Sequence, residues 1–527
     1  MANTLNVGNG DWATKENSLL GYNSENGNYK PLPFDFTRAS NGTFVNKAGL
    51  IETAANGVPR IDFLGNTKGA LLLEPQRTNL ITYSSDFSNS YWSKSGASIK
   101  GDPSTAGSEL VTNGDFATDS DWVKQAGWSI SGGTANCDGS QNLPESVYQN
   151  GVTVVGKTYK ITYTLVSITS GTIRPLAGTL GGAFQSTIGT HTEYLTATSN
   201  TAIQIQASSS FIGSIDNVSV KEVQGFSSPS GDTNAFKLVE DSANSQHYLQ
   251  RNFTSTNGSS YTYKIYVKMN GRRNISLREN GSTGYYVSFD LLNGVILEQS
   301  NATGTIKELT NGWFEITHTS VAGNSFNVAY YLLSDSYTSG NPQTSPYQGD
   351  GVSGFYIYGA QLEQGSYATS LINTQGSAVT RVQDVCNNGG NDQVINSTEG
   401  VLYAEMRGLG SDLTAKSVLI NDLSSVNEVG FYYYGNRIDA YVKVGGANEF
   451  FVIKSIADAT ITSKIALLYK ENDFALWVNG VKEAVSTSGL VPIGLKSLNF
   501  TQGLSTNQVK LYNTALTDAE LAALTTI

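Results

Sequence analysis

Short apolar runs separated by turn residues dominate the hydrophobic pattern of this 527-residue chain. Apolar and polar side chains alternate in runs such as KTYKITYTLV, YTYKIYVKM and RIDAYVKV, and Gly, Asn and Ser interrupt the runs at short intervals. A period of two is typical of half-buried β-strands, in which Val, Ile, Tyr and Thr are favoured. The pattern predicts an all-β fold class, with several β-sandwich domains along the chain.

The last segment is the exception to the strand pattern. In the run TALTDAELAALTTI, Thr517 stands where it can cap a helix, and Glu520 follows three residues later. Threonine and glutamate at this spacing form a capping box. We therefore predict one short C-terminal helix, with Leu521 and Leu524 docked on the preceding sandwich.

One phrase occurs twice, first as LLLEPQRTNLITYSSDFSNSYW and then as ELVTNGDFATDSDW. Each copy leads from a short apolar strand through Asp-Phe to a tryptophan, Trp92 or Trp122, and we predict that both tryptophans anchor a core. The second copy is followed by enough alternating strands to complete a sandwich by residue 223. The first copy breaks off near residue 107, before any sandwich could be finished.

Nesting explains why the first copy stops. We expect residues 108–223 to be a sandwich inserted into a loop of a second sandwich, which comprises residues 82–107 and 224–365. Insertion at an exposed polar loop disturbs few contacts and is well tolerated. The alternative is a simple tandem arrangement of the sandwiches, in which residues 71–107 form a separate segment ahead of them.

Four regions lie outside these two sandwiches. Residues 1–30 are polar and predict an extended N-terminal arm, and residues 31–81 predict a wrapping segment of short hairpins. Residues 366–399 form a polar connector. Residues 400–527 predict a third sandwich, with a hairpin turn at Asn479-Gly480.

Charge excludes two classes of partner. The formal net charge is −11 and the isoelectric point is about 4.9, so the surface repels nucleic acid and anionic membranes. No apolar stretch approaches the ~20 residues of a membrane span. We expect no nucleic-acid partner and no membrane partner.

Enzyme and metal signatures are weak. His191, His247 and His318 are scattered, and no nucleophile elbow, phosphate-binding loop or metal-ligand spacing occurs. We expect no enzymatic activity, no catalytic residue and no cofactor. A structural calcium ion stays possible because the runs DLLNGVILE and NGDFATDSD offer oxygen donors, although aspartates in such runs also cap turns.

Aromatic residues give the best candidate for a binding site. In VGFYYYG, Phe431 and Tyr433 share one strand face, and Tyr432 and Tyr434 share the other. The same alternation turns Tyr441 and Trp477 away from the core side of their strands. We therefore predict that one sandwich face gathers the four rings as a glycan platform, the alternative being that they pack against a neighbouring domain or protomer. The predicted ligand-binding residues are Tyr432, Tyr434, Tyr441 and Trp477.

Several strings resemble one protein family. They are FDFTRASNGTFVNKAGLIE, GALLLEPQRTNLITYSSDFSNSYW, FYIYGAQLEQGSYATSLINTQGSAVTRVQD and VKLYNTALTDAELAAL, which together resemble bacteriophage virion proteins of the tail-fibre or head-fibre type. Residues 400–527 resemble a concanavalin A-like (laminin-G-like) sandwich. The two motif-bearing modules are similar to carbohydrate-binding-module jelly rolls.

The resemblance implies a function as well as a fold. It implies a homotrimeric fibre subunit on the virion surface, on the tail or the capsid, joined to other virion proteins through the N-terminal arm. Its lectin-like domains would attach the particle to a host cell-surface glycan. A purely architectural virion protein and a secreted glycan-degrading enzyme remain the alternatives.

Overall fold

The computed structural model describes residues 3–15, 18–24, 27–29, 34–101, 106–155, 157–199, 202–223, 225–279, 284–323 and 325–527. Across these residues the protein is built from β-strands arranged as several β-sandwiches, with a single α-helix at Asp518–Thr525 (α1). The all-β prediction is confirmed. No helix in the described ranges is long and apolar enough to cross a membrane.

The N-terminal region consists of short strands. They are β1 Leu5–Gly8, β2 Ala13–Lys15, β3 Ser18–Leu20, β4 Tyr22–Asn23, β5 Asn28–Tyr29, β6 Phe34–Thr37, β7 Gly42–Val45, β8 Ile51–Ala54, β9 Ile61–Asp62, β10 Ala70–Leu73 and β11 Arg77–Asn79. Strands β7 and β8 form a hairpin of their own, and most of the others join sheets described below.

Two strands and then a complete module follow. The two strands are β12 Ser93–Ser95 and β13 Ala97–Lys100. The module comprises β14 Ala106–Glu109, β15 Val123–Lys124, β16 Trp128–Ser131, β17 Thr134–Asp138, β18 Glu145–Gln149, β19 Thr158–Ser170, β20 Ile173–Ala177, β21 Leu180–Gly181, β22 Gly189–Thr196, β23 Ile203–Ala207 and β24 Ile212–Val223.

The next stretch carries strands β25 to β38. They are β25 Phe236–Glu240, β26 Asn244–Ser245, β27 His247–Thr254, β28 Ser260–Asn270, β29 Asn274–Glu279, β30 Tyr286–Asp290, β31 Val295–Ser300, β32 Ile306–Glu308, β33 Trp313–Val321, β34 Ser325–Leu333, β35 Tyr347–Gln348, β36 Gly354–Gln364, β37 Val379–Arg381 and β38 Val385–Gly389.

The C-terminal region carries the last ten strands, which precede α1. They are β39 Glu399–Gly408, β40 Lys416–Asn421, β41 Glu428–Tyr433, β42 Arg437–Val444, β43 Ala447–Ser455, β44 Ser463–Lys470, β45 Asp473–Val478, β46 Val481–Ser486, β47 Ser497–Phe500 and β48 Leu504–Tyr512.

One sandwich lies between two strands of another. The host sandwich has the sheet orders β12-β27-β34-β29-β30-β31 and β13-β25-β36-β28-β33-β32, so strands from both sides of the module share its sheets. The module has its own two sheets, in the orders β16-β17-β24-β19-β22, with β14 on β24, and β15-β18-β23-β20-β21. Ala106 pairs with Val223, so the two ends of the module lie side by side. Trp92 and Trp122 are buried in the respective cores, as predicted.

The third sandwich combines both ends of the chain. One sheet runs β46-β45-β44-β39-β48-β1-β4-β5, with β10 beside β48 and β9 beside β10, and we call it the inner sheet. The other runs β2-β3-β6-β38-β47-β40-β41-β42-β43, and we call it the outer sheet. The connector strand β38 lies between β6 and β47, so this part of the expected polar connector is an ordered strand.

The N-terminal residues differ from the extended arm expected from the sequence. Leu5 and Val7 point into the same core as Leu511, and the strand pairs with β48 in antiparallel register. Phe34 and Phe36 enter that core from β6. Each of these apolar strands is too short to bury a core alone, and they pack into a core that they share with the C-terminal half of the same chain. These strands therefore join a core within their own chain.

A buried ionic cluster fastens these segments together. Arg38 lies 3.0 Å from Asp384, Arg60 lies 2.6 Å from Glu74, and Arg381 lies 2.9 Å from Glu74. Arg60 also pairs with Asp384, and each of these side chains is at most 2% exposed. Because buried charges are stable only when they are paired, the cluster holds the N-terminal hairpins to the segment that enters the third sandwich.

The C-terminal helix forms as predicted. Thr517 accepts a hydrogen bond from the backbone of Glu520, and the Glu520 carboxylate accepts one from the backbone of Thr517. Leu521 is fully buried against the inner sheet, with Leu524 packed beside it. The hairpin predicted at Asn479-Gly480 joins β45 to β46, with positive φ at both turn residues.

Candidate ligand-binding face of the outer sheet

The candidate site is the solvent side of the outer sheet, on strands β40 to β43. Val429, Phe431 and Tyr433 of β41 all point into the core. The residue between the last two, Tyr432, points to the opposite side and is half-buried. Alternation along β42 does the same for Tyr441, because its neighbours Ala440 and Val442 are core residues.

Three of the four predicted rings meet on this face. The rings of Tyr432 and Tyr441 are stacked, with centroids 5.2 Å apart and planes 17° apart. The ring of Tyr434 lies 6.2 Å from that of Tyr432, tilted by 45°. Tyr441 is only 2% exposed, whereas Tyr432 and Tyr434 are half-buried. Tyr441 therefore supports the Tyr432 ring, which solvent can reach.

Two ion pairs flank the tyrosines. Arg437 donates to the Asp439 carboxylate at 3.0 Å, and its guanidinium lies 4.5 Å from the ring centre of Tyr434. Lys443 donates to the Glu428 carboxylate at 2.9 Å, on the other side of the stack. A ligand on the rings would therefore meet charged hydrogen-bonding groups at both ends of the cluster.

The same face continues onto the edge strand β43. Phe451 pairs with Tyr441, and Ile453 pairs with Asp439, in the antiparallel register. The two apolar side chains are 51% and 53% exposed. Large apolar side chains grouped on an exposed surface are typical of binding sites rather than of a bare surface.

Burial fixes the protonation state of the supporting ring. It raises the pKa of the Tyr441 phenol well above its ordinary value, and the nearby Glu428 carboxylate raises the pKa further. Tyr441 is therefore a neutral phenol at any physiological pH.

Trp477 does not belong to this face, which corrects the predicted four-ring platform. It lies on β45 in the inner sheet, where it is 7% exposed and packs with Leu521 of the helix. The alternation that turned Trp477 away from the core was correct, since Leu476 and Val478 are core residues. Period two cannot tell which of two sheets a strand joins, and the two sheets point their outward faces in opposite directions.

The runs considered for calcium show ordinary turn contacts. Asp290 pairs with Arg273 and accepts hydrogen bonds from the Leu292 backbone and the Asn293 side chain. Asp119 of the second run pairs with Lys124. Across the described ranges, no three His, Cys, Asp or Glu side chains are grouped closely enough to hold a metal ion.

Sequence reasoning missed the flanking residues of the face, although the signal was present. In RIDAYVKV, the alternation that places Tyr441 outward also places Arg437, Asp439 and Lys443 outward. In NEFFVIKS it does the same for Phe451 and Ile453. Attention to the aromatic residues alone left these charged and aliphatic side chains out of the predicted site.

Comparison with known proteins does not identify a family or a ligand for this face. The sequence matches no protein-family model and no curated protein sequence. Among solved structures, the chain is similar to the LG1-3 region of the laminin alpha2 chain, with 10% sequence identity and a TM-score of 0.17. That match covers 68% of this chain and 93% of the laminin chain. A TM-score this low does not indicate a shared overall architecture.

Proposed function

We propose that the protein is a non-enzymatic adhesin that binds a host cell-surface glycan on the tyrosine face of its outer sheet. The observation that carries the proposal is the Tyr432–Tyr441 stack with an ion pair at each end. Sugar rings pack their apolar C–H faces on aromatic rings while their hydroxyls bond to polar neighbours. Ligand sites commonly combine apolar contacts with a few placed polar groups in this way.

The arrangement suits a glycan chain better than a single sugar. Tyr434, Tyr432 and the exposed Phe451 present successive apolar surfaces along the face, and they lie between Arg437 and Lys443. The face is open, so a ligand could extend beyond it at either side. An open face of this kind fits the interior of a polysaccharide, where neither chain end needs to be enclosed.

The resemblance to bacteriophage fibre proteins gives the proposal its biological setting. The protein would be a subunit of a tail or head fibre on the virion surface, with the host glycan as its receptor. Because β1 pairs with β48, residues 5–8 are not free to serve as a separate arm. Contact with other virion proteins, and any trimer, would therefore use the surface of the folded unit.

Two measurements test the proposal against its alternatives. Glycan arrays and host-cell binding separate an adhesin from an architectural protein, since the latter would bind to neither. Incubation with host capsular polysaccharide, followed by size-exclusion chromatography of the polymer, separates an adhesin from a glycan-degrading enzyme. We expect binding with no change in polymer size. Shortened polymer, or no binding on arrays and cells, would contradict the proposal.

A further inference from the structure

A groove crosses the third sandwich on the side of the inner sheet that faces away from the core. Its volume is about 510 Å³, and it lies between the turn at residues 66–68 and the C-terminal helix. The sheet rows beneath it pair Lys464 with Glu405 and Tyr403 with Lys510. The N-terminal part of the chain supplies Asn9 and the turn at residues 66–68 to its lining, and C-terminal strands and the helix supply the rest.

Lys510 is the unusual residue of the groove. It is half-buried, and within the described ranges its ammonium makes no hydrogen bond or ion pair. The ammonium lies 5.8 Å from the ring centre of Tyr403. Burial lowers the pKa of Lys510, the nearby Lys464 lowers it further, and Glu405 opposes both effects. A half-buried cation without a bonded counter-ion is destabilising unless something else supplies the negative charge.

None of the other charged side chains in the described lining forms a hydrogen bond or ion pair with Lys510. Glu405 accepts a hydrogen bond from the Asn507 amide at 3.0 Å. Lys464 donates to the backbone carbonyl of Thr526 at 2.8 Å, and Lys68 donates to the Asn9 side chain at 2.7 Å. The described lining thus holds three lysines and one glutamate, in a chain whose net charge is −11.

A second cation, Arg407, lines a smaller pocket of about 210 Å³ beside the groove. Asn66 and Asn507 line both, and the Asn66 amide donates to Asn507 at 2.9 Å. Arg407 lines the smaller pocket and makes no hydrogen bond or ion pair with any described residue. The acid facing it is Asp62, whose pKa is raised by burial. Cations without bonded counter-ions therefore lie on both sides of the Asn66–Asn507 bridge.

We propose that this groove binds an anionic polysaccharide, with Lys510 and Arg407 contacting successive carboxylate or sulfate groups. Asn66 and Asn507 line the wall that the groove shares with the smaller pocket, between these two cations. Ammonium and guanidinium groups form their strongest hydrogen bonds with such anions. This site is separate from the tyrosine face, which lies on the other sheet, and it does not rest on glycan binding there.

Titration calorimetry of the full-length protein at low salt tests the site with three probes. Polygalacturonate offers carboxylates, dextran sulfate offers sulfates, and neutral dextran is the control. We expect binding of one or both polyanions, and none of dextran. Lys510→Gln should weaken binding about fivefold or more, because it removes a charge-assisted hydrogen bond. Lys510→Arg should keep most of the affinity. Lys496→Gln makes the same charge change on an exposed residue outside the groove and should have little effect.

Chemical footprinting gives a second readout that does not depend on substitutions. Acetylation at neutral pH, quantified by mass spectrometry, should modify Lys510 in the free protein, and bound polyanion should protect it while Lys496 still reacts. Equal weakening by Lys510→Gln and Lys496→Gln would overturn the site, because attraction would then follow net charge alone. Absence of polyanion binding, or no protection of Lys510, would overturn it as well.

Discussion

Leu5 pairs with Leu511 in the antiparallel register that joins the first strand of the protein to the last. Both side chains are buried in the core of the third sandwich, at 0% and 2% exposure. The two ends of the chain therefore fold as one unit, and the domain that carries both candidate sites includes residues from each end.

The first prediction follows from this pairing. Leu5→Ala should lower the free energy of unfolding of the third sandwich by about 3 kcal/mol, because it leaves a cavity in a closed core. Chemical denaturation followed by tryptophan fluorescence measures the loss. Thr14→Ala, at an exposed position on β2, is the matched control and should change stability little. Equal stability of the two variants would show that β1 adds nothing to the core.

The second prediction concerns Trp477. Trp477→Ala should cost about 3 kcal/mol of stability, because the ring fills the space between the inner sheet and the helix. It should leave glycan binding on the outer sheet unchanged. Thermal unfolding and a binding assay on the same sample check both parts. Reduced glycan binding at an unchanged melting temperature would show instead that Trp477 contacts the ligand.

The third prediction is a pH dependence of stability that arises from the buried ionic cluster. Burial alone would raise the pKa of Glu74, but Arg381, Arg60 and the Ser370 hydrogen bonds lower it from 4.5 to about 2. Because the pKa in the folded state is depressed, ionised Glu74 stabilises the fold above about pH 4.5. That stabilisation is lost progressively as the pH falls from 4.5 towards 2.

Glu74→Gln tests this dependence. The variant should lose about 3 kcal/mol at pH 7, since it leaves two buried arginines short of a counter-charge. Its melting temperature should then fall less steeply than that of the wild type between pH 5 and about pH 3. Parallel melting curves for the two proteins over that range would show that Glu74 does not contribute in this way.

The fourth prediction concerns the nested module. Deletion of residues 108–223, with the ends rejoined, should leave a soluble folded protein, because Ala106 and Val223 are adjacent and the host sheets keep β12 and β13. Circular dichroism and the melting temperature measure the outcome. An insoluble or unfolded product would mean that the host sandwich needs the module to fold.

Local patterns predicted local structure well and sheet membership poorly. Alternation placed Tyr432 and Tyr441 outward and Tyr433 inward, because side-chain direction in a strand depends only on adjacent residues. The capping box at Thr517 was likewise visible in four residues. The pairing of Leu5 with Leu511, and the separation of Trp477 from Tyr432, depend on contacts between distant segments. Such contacts leave no periodic signal in the sequence.

The groove around Lys510 could not be predicted for the same reason. Its lysines come from the turn near residue 68 and from strands β44 and β48, and no short stretch of sequence is basic. The pairing of β39 with both β44 and β48 brings Lys464 and Lys510 together, and the bond between Asn66 and Asn507 places the turn near residue 68 beside them. The net charge of −11 predicts an acidic surface and not a basic groove.

Binding of Tyr432→Ala to host cells and to purified host glycan tests the central claim most directly. A stacking ring contributes on the order of 1 kcal/mol, so we expect affinity to fall about fivefold with little change in melting temperature. Tyr194→Ala, at a tyrosine 45% exposed on the inserted module, is the matched control and should bind like the wild type. Unchanged affinity of Tyr432→Ala, or equal losses in both variants, would contradict the assignment of the outer-sheet tyrosines as the glycan site.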